Sequence, residues 1–128
     1  MRQIVIAFDI DGTLRDNTVA DRIVANERIR TLLILLSSMR NTRIMVWSGG
    51  GANYARQVCV AMAIEQYVDV YADKGFGGYE ADGSPIFHTD IQPDIAFDDI
   101  EECALGTLNL IVEERGFTPG YVPPGHRR

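Results

Sequence analysis

Two aspartates one residue apart, Asp9 and Asp11, close the apolar run in "QIVIAFDIDGTL". A carboxylate is costly beside a buried strand, so a pair there calls for a chemical reason. "IAFDD" ends a second apolar run in another acid pair, Asp98 and Asp99. "RIMVWSGGG" ends a third in Ser48, followed by Gly49, Gly50 and Gly51. Lys74 follows "YVDVYAD" and is the one lysine in the chain; the other eleven of its twelve basic residues are arginines. Brought together, these residues amount to four carboxylates, a hydroxyl and an ammonium. Four acids so close cannot all stay ionised without a counter-charge. A hard divalent cation supplies one, and Mg²⁺ suits a site with one or two direct carboxylates completed by water or phosphate oxygens. Lys74 adds a compact point charge.

Such a gathering needs strands that end on one edge of a sheet. Gln3–Phe8 is a strand-length run rich in Ile and Val, as in a parallel strand covered on both faces. Ile29, Leu32, Leu33, Leu36 and Met39 recur at helical spacing, which predicts an amphipathic helix over Glu27–Met39. Arg43–Trp47 reads as a second strand. Ala52–Ile64 reads as a helix with Ala55, Val58, Cys59 and Met62 on one face. Tyr67–Tyr71 reads as a third strand. The Gly-rich stretch 72–89 holds a small hairpin turning at Asp82-Gly83. "DIAFDD" is a fourth strand, followed by a short helix from about Glu101 and a strand near "LNLIV". The Pro/Gly-rich tail over 117–128 reads as irregular. This alternation predicts a single α/β domain over 1–128, a three-layer sandwich with a Rossmann-like, mostly parallel sheet. In such sheets ligands bind beyond the carboxyl ends of the strands, where the residues above fall.

The whole chain agrees with that picture. It has 128 residues, 46% of them hydrophobic, which fits one soluble globular domain. The longest apolar stretch, Leu32–Leu36, is far too short to span a bilayer, so no membrane partner is expected. The N-terminus lacks a signal-peptide pattern, which makes a cytoplasmic location the expectation. Cys59 and Cys103 form neither a disulfide framework nor a zinc spacing. A net charge of −6 argues against non-specific nucleic-acid binding while leaving a local basic groove open.

"DIDGTL", "VWSGG", a lone lysine and "IAFDD", in that order from Ile4 to about Val112, resemble the four motifs of the haloacid dehalogenase (HAD) superfamily of phosphotransferases. The resemblance implies a Mg²⁺-dependent phosphatase. Asp9 would be the nucleophile that forms an aspartyl-phosphate. Asp11 would be the general acid and then the base. Residues two apart on an extended stretch point the same way, so both can face one phosphorus. Thr13 would fix Asp9 by a local hydrogen bond. Thr13, Ser48, Gly49 and Lys74 would form the substrate-binding set around the phosphoryl group, with the glycines leading into a helix N-terminus that favours an anion. Asp9, Asp98 and the Asp11 backbone carbonyl would hold Mg²⁺, and Asp99 would bind it through water or orient Lys74. An aspartate at position 11 favours phosphate-ester hydrolysis over dehalogenation.

Neither Leu14–Arg43 nor Gly49–Lys74 has room for the cap domain that selects substrates in this superfamily. A capless site suits a nucleic-acid end or a protein, or a small molecule if oligomerisation or a loop covers it. Arg15–Ala25 and the hairpin Gly75–Phe87, with Phe76 and Tyr79, are the loops that could do so. The compact motifs are also similar to the phosphatase half of bifunctional polynucleotide kinase–phosphatases, which points to a nucleotide or polynucleotide phosphate. The acidic charge and the lack of a dense basic stripe stand against that. Arg15, Arg22 and Arg56 are candidates for substrate contacts.

The same residues admit plainer readings. Asp-Gly alone is a turn signal, "SGGG" a loop, Lys74 a solvated side chain, and Asp98-Asp99 a capping pair. Asp73 and Asp94 read as ordinary surface or loop acids, and His88 as a polar residue at a strand edge. A receiver domain of signalling proteins shares the length, an acidic pair, a hydroxyl and a lysine. There the acidic pair closes the first strand and the lysine follows the last, an order this chain does not have. A phosphate-binding relative without turnover is the other non-enzymatic alternative.

Overall fold

β-branched and aromatic residues suit a pleated surface packed on both faces, and they fill the strands of this chain. A computed structural model describes residues 2–83, 85–88 and 90–113, with the backbone alone at 76–77 and 85–88. The tail expected to be irregular, 117–128, lies outside the described residues. The elements are β1 (Ile4–Asp9), α1 (Glu27–Ser37), β2 (Thr42–Ser48), α2 (Ala52–Ala61), β3 (Val70–Asp73), β4 (Gly75–Tyr79), β5 (Pro85–His88), β6 (Ile95–Asp98) and β7 (Leu108–Ile111). Five strands form one parallel sheet in the order β3-β2-β1-β6-β7, and β4 and β5 pair separately as an antiparallel hairpin.

The register brings the strand ends into line. Asp9 lies opposite Trp47, Trp47 opposite Ala72, and Phe8 opposite Phe97. The Phe8 and Phe97 rings stack with centroids 4.7 Å apart. Asp9, Ser48, Lys74 and Asp98 therefore all arrive at the carboxyl edge of neighbouring strands.

Both α-helices pack on one face of the sheet. There Ile6, Phe8, Ile44 and Val46 meet Leu33 of α1 and Ala55, Val58 and Cys59 of α2 in a single buried cluster. Two right-handed crossovers that step the same way across a sheet leave their helices on the same side. The other face carries Ala7, Met45, Trp47 and Ala96, against which Ile91 and Leu105 pack from irregular segments. Among the described residues the expected third layer is thus not helical. The stretch between β6 and β7 forms only a 3-10 turn, Glu101–Cys103, where a short helix is predicted from sequence.

Other boundaries shift for local reasons. α1 stops at Ser37, where Ser37 and Ser38 turn their hydroxyls back to the Ile34 and Leu35 carbonyls. α2 ends at Ala61, because Ala63 adopts φ 57°, outside the helical region. β3 starts at Val70, since Glu65–Tyr67 is a 3-10 turn. Asp94 is no ordinary surface acid: it accepts the Val5 amide at 2.8 Å and a two-pronged contact from Arg2, which ties the start of β1 to β6. Among the described residues, no helix is long and apolar enough to cross a membrane.

Candidate active site

At the carboxyl edge of the sheet lies a cleft of about 220 Å³. Asp9, Asp11, Ser48, Gly49, Lys74, Asp98 and Asp99 all line it. Four strand ends and the turn after β1 supply these residues, which are far apart in sequence. Thr13, the remaining candidate, is fully buried, and its Oγ1 lies 3.5 Å from Asp9 Oδ2, a long hydrogen bond. The 9–15 turn is held by backbone bonds from Thr13 and Arg15 to the Ile10 carbonyl and from Leu14 to the Asp9 carbonyl.

Lys74 is the centre of the charge arrangement. Its side chain is only 3% exposed, and its Nζ bonds Asp98 Oδ2 and, at 3.2 Å, Asp9 Oδ1. The ammonium also lies 5.1 Å from the centre of the Trp47 ring, within cation–π range. Burial alone would push this ammonium's pKa down, but the charges of Asp9 and Asp98 outweigh it and hold it above the usual lysine range. Burial pushes the Asp9 carboxyl up to about 7; the Lys74 charge pulls it down and the Asp98 charge adds to the rise. Burial likewise raises the Asp99 carboxyl. Lys74 is oriented by Asp9 and Asp98, not by Asp99 as one of the sequence expectations had it.

Carboxylate oxygens of Asp9, Asp98 and Asp99 lie within 4.8 Å of one another. Three acids outnumber the one ammonium among them, and Asp99 Oδ1 is buried with no hydrogen-bond partner. An all-oxygen, net-negative donor set with an unsatisfied oxygen is chemically suited to a hard cation. Gly12 makes room for the Asp99 carboxylate. Its φ is 82°, and a Cβ there would fall 2.1 Å from Asp99 Oδ2, so only glycine lets the turn and the carboxylate approach so closely.

Asp11 is held differently. Tyr54, in the first turn of α2, donates its hydroxyl to Asp11 Oδ1 at 2.7 Å. Arg15 Nη1 donates to the same oxygen at 3.1 Å and to the Tyr54 oxygen at 3.3 Å. The other prong of Arg15 reaches the carbonyls of Val19 and Arg22. Arg15 is therefore engaged inside the protein, whereas Arg22 and Arg56 lie exposed and neither lines the cleft.

Ser48 is 4% exposed and anchors the glycine turn, its Oγ accepting the Gly50 amide at 3.0 Å. A side chain at Gly49 would meet open space, whereas one at Gly50 would fall 3.1 Å from the Tyr54 ring. The α2 N-terminus is partly taken, because Asp73 accepts the Ala52 amide. This carboxylate, read from sequence as a surface acid, satisfies one of the first-turn donors in the way expected of a bound anion. Neither 15–25 nor the hairpin contributes a described side chain to the cleft; Gly50, Ile100 and Cys103 complete its wall.

Tyr54 is the main residue that sequence reasoning misses. Its spacing from "SGGG" places it one turn into α2, but nothing in its type separates it from a packing aromatic. Comparison with family models, with curated proteins and with solved structures gave no match for this chain. The functional reading accordingly rests on the residues themselves.

Proposed function

We propose that this chain is a HAD-type, Mg²⁺-dependent phosphatase that hydrolyses a phosphate monoester through an aspartyl-phosphate on Asp9. One observation carries the reading: a nucleophile candidate, a second acid, a hydroxyl, an ammonium and an acid pair share one cleft at the carboxyl edge of a parallel sheet. Asp9, Asp98 and Asp99 are the side chains that would hold the cation. Bound there, it would neutralise charge on the phosphoryl oxygens and on the acids.

The chain's own groups account for the rest. Asp9 attacks phosphorus with one oxygen, forming a new P–O bond as the ester P–O bond breaks. The departing oxygen takes a proton from Asp11. Asp11, now ionised, takes a proton from water as that water attacks phosphorus and frees Asp9. Lys74 offsets the negative charge between Asp9 and the phosphoryl group, while Ser48 Oγ and the glycine turn present donors to its oxygens. Thr13 steadies Asp9 from below.

The substrate is a phosphorylated small molecule or a nucleic-acid end, with a nucleotide or polynucleotide phosphate as the narrower option. An open site would be completed by the substrate's own bulk or by a second copy of the chain, and the working location is cytoplasmic. The test is phosphate release from an aryl phosphate with Mg²⁺ or with EDTA, for wild type and Asp9→Asn. Release that needs both Mg²⁺ and Asp9 is expected. Undiminished release by Asp9→Asn would overturn the mechanism.

A further inference from the structure

Resting on the phosphatase reading, we propose that Tyr54 and Arg15 are positioning residues for Asp11. They occupy one oxygen of its carboxylate, Oδ1, and dedicate the other, Oδ2, to the proton that moves in each half of the reaction.

A closed triangle of hydrogen bonds surrounds Oδ1. Tyr54 Oη donates to it at 2.7 Å, Arg15 Nη1 donates to it at 3.1 Å, and Arg15 Nη1 also donates to Tyr54 Oη at 3.3 Å. Among the described residues no hydrogen bond reaches Asp11 Oδ2. The terminal torsion of an aspartate is broad, so an unrestrained Asp11 would present either oxygen to the cleft over a wide range of angles. Two donors converging on one oxygen from different elements remove that freedom. Arg15 is itself fixed, by the carbonyls of Val19 and Arg22 at 3.4 and 3.3 Å. Tyr54 is fixed by its place in the first turn of α2 and by its ring lying over Gly50, where even a methyl group would crowd it. Asp11 remains 43% exposed along its side chain, so its unbonded oxygen stays accessible from the cleft.

The proton steps balance on that oxygen. In the first half Oδ2–H gives its proton to the leaving ester oxygen as the ester bond breaks. In the second half Oδ2 takes a proton from the attacking water as the bond between phosphorus and Asp9 breaks. Neither step needs a further reagent. A small loss of aim in a general acid or base lowers the rate steeply without weakening substrate binding.

The informative variant is Tyr54→Phe, which keeps the ring over Gly50 and removes only the hydroxyl. It should lower kcat by roughly tenfold with KM within about twofold. Because Asp11 serves both halves, the single-turnover rates of phospho-enzyme formation and of its breakdown, followed by acid quench, should both fall. In an Asp11→Asn background the same change should have no further effect on phospho-enzyme breakdown, because the hydroxyl acts through Asp11. A Tyr54→Phe enzyme with wild-type kcat and wild-type rates of both steps would overturn the inference while leaving the phosphatase reading intact. So would an equal further loss in the Asp11→Asn background, or a fall in kcat matched by a rise in KM and a lower Tm. If wild type itself forms no phospho-enzyme, the phosphatase reading fails and this inference with it.

Discussion

Lys74 holds together groups that would otherwise repel. Removing one partner of a buried ionic cluster leaves the others desolvated and unpaired, which costs about 3–5 kcal/mol. Lys74→Met should therefore lower stability by about 3 kcal/mol in urea unfolding with EDTA present, with part of the loss recovered when Mg²⁺ is added. A loss under 1 kcal/mol would mean that the acids share protons or water instead of relying on the ammonium. Gly12→Ala tests close approach. The left-handed backbone costs about 1–2 kcal/mol for a residue with a Cβ, and the new methyl would overlap the Asp99 carboxylate. The variant should fold yet lose most Mg²⁺ binding by calorimetry; unchanged binding would show that Asp99 is not needed for the cation. Most of these residues were legible in the sequence because acids and a lone lysine contrast with the apolar strands they follow. Tyr54 was not, since an aromatic at a helical position carries the same local signal whether it packs or donates.

The elements were legible in type and less so at their ends. Ile/Val runs and helical spacing mark β1, α1, β2 and α2. The capping hydroxyls of Ser37 and Ser38 and the left-handed Ala63 act after the pattern has been set, and periodicity does not record them. Asp94 was missed for a related reason: its partners, Arg2 and the Val5 amide, are distant in sequence. Its carboxyl is held below the usual range by the Arg2 hydrogen bond first and the Val5 amide second. A folded value below the unfolded value of about 3.9 gives stability that is complete above that pH and lost as pH falls through the folded value. Asp94→Asn should accordingly be less stable than wild type at pH 7, with the gap in urea midpoint closing below about pH 4. A gap that persists undiminished at pH 2 would assign Asp94 a role independent of its charge.

The molecule as a whole places its candidate site on one sheet edge and its helices on one face. The first feature follows from parallel strands and was foreseen. The second was not, because strand–helix alternation says nothing about which way each crossover steps, and the connection after β6 proved too short in helical content to build a further layer. On the face opposite the helices sits Trp47, fully buried and the single tryptophan of the chain, with Lys74 beside its ring. Its emission should report both global unfolding and movement of Lys74. Titration with Mg²⁺ and beryllofluoride should give a saturable intensity change that EDTA reverses and Asp98→Asn abolishes. Calorimetric binding with silent fluorescence would show that Lys74 keeps its place when the cleft fills.

The single lysine also makes the protein a selective target for acylating reagents. Such reagents attack a neutral amine, and this one is buried, protonated and held between two carboxylates. Native protein should resist side-chain acylation almost completely, while unfolded protein accepts one acyl group at Lys74. Followed by mass spectrometry, the labelling rate becomes a clock for how often the carboxyl edge of the sheet opens. That clock should slow when Mg²⁺ and a phosphate analogue are bound.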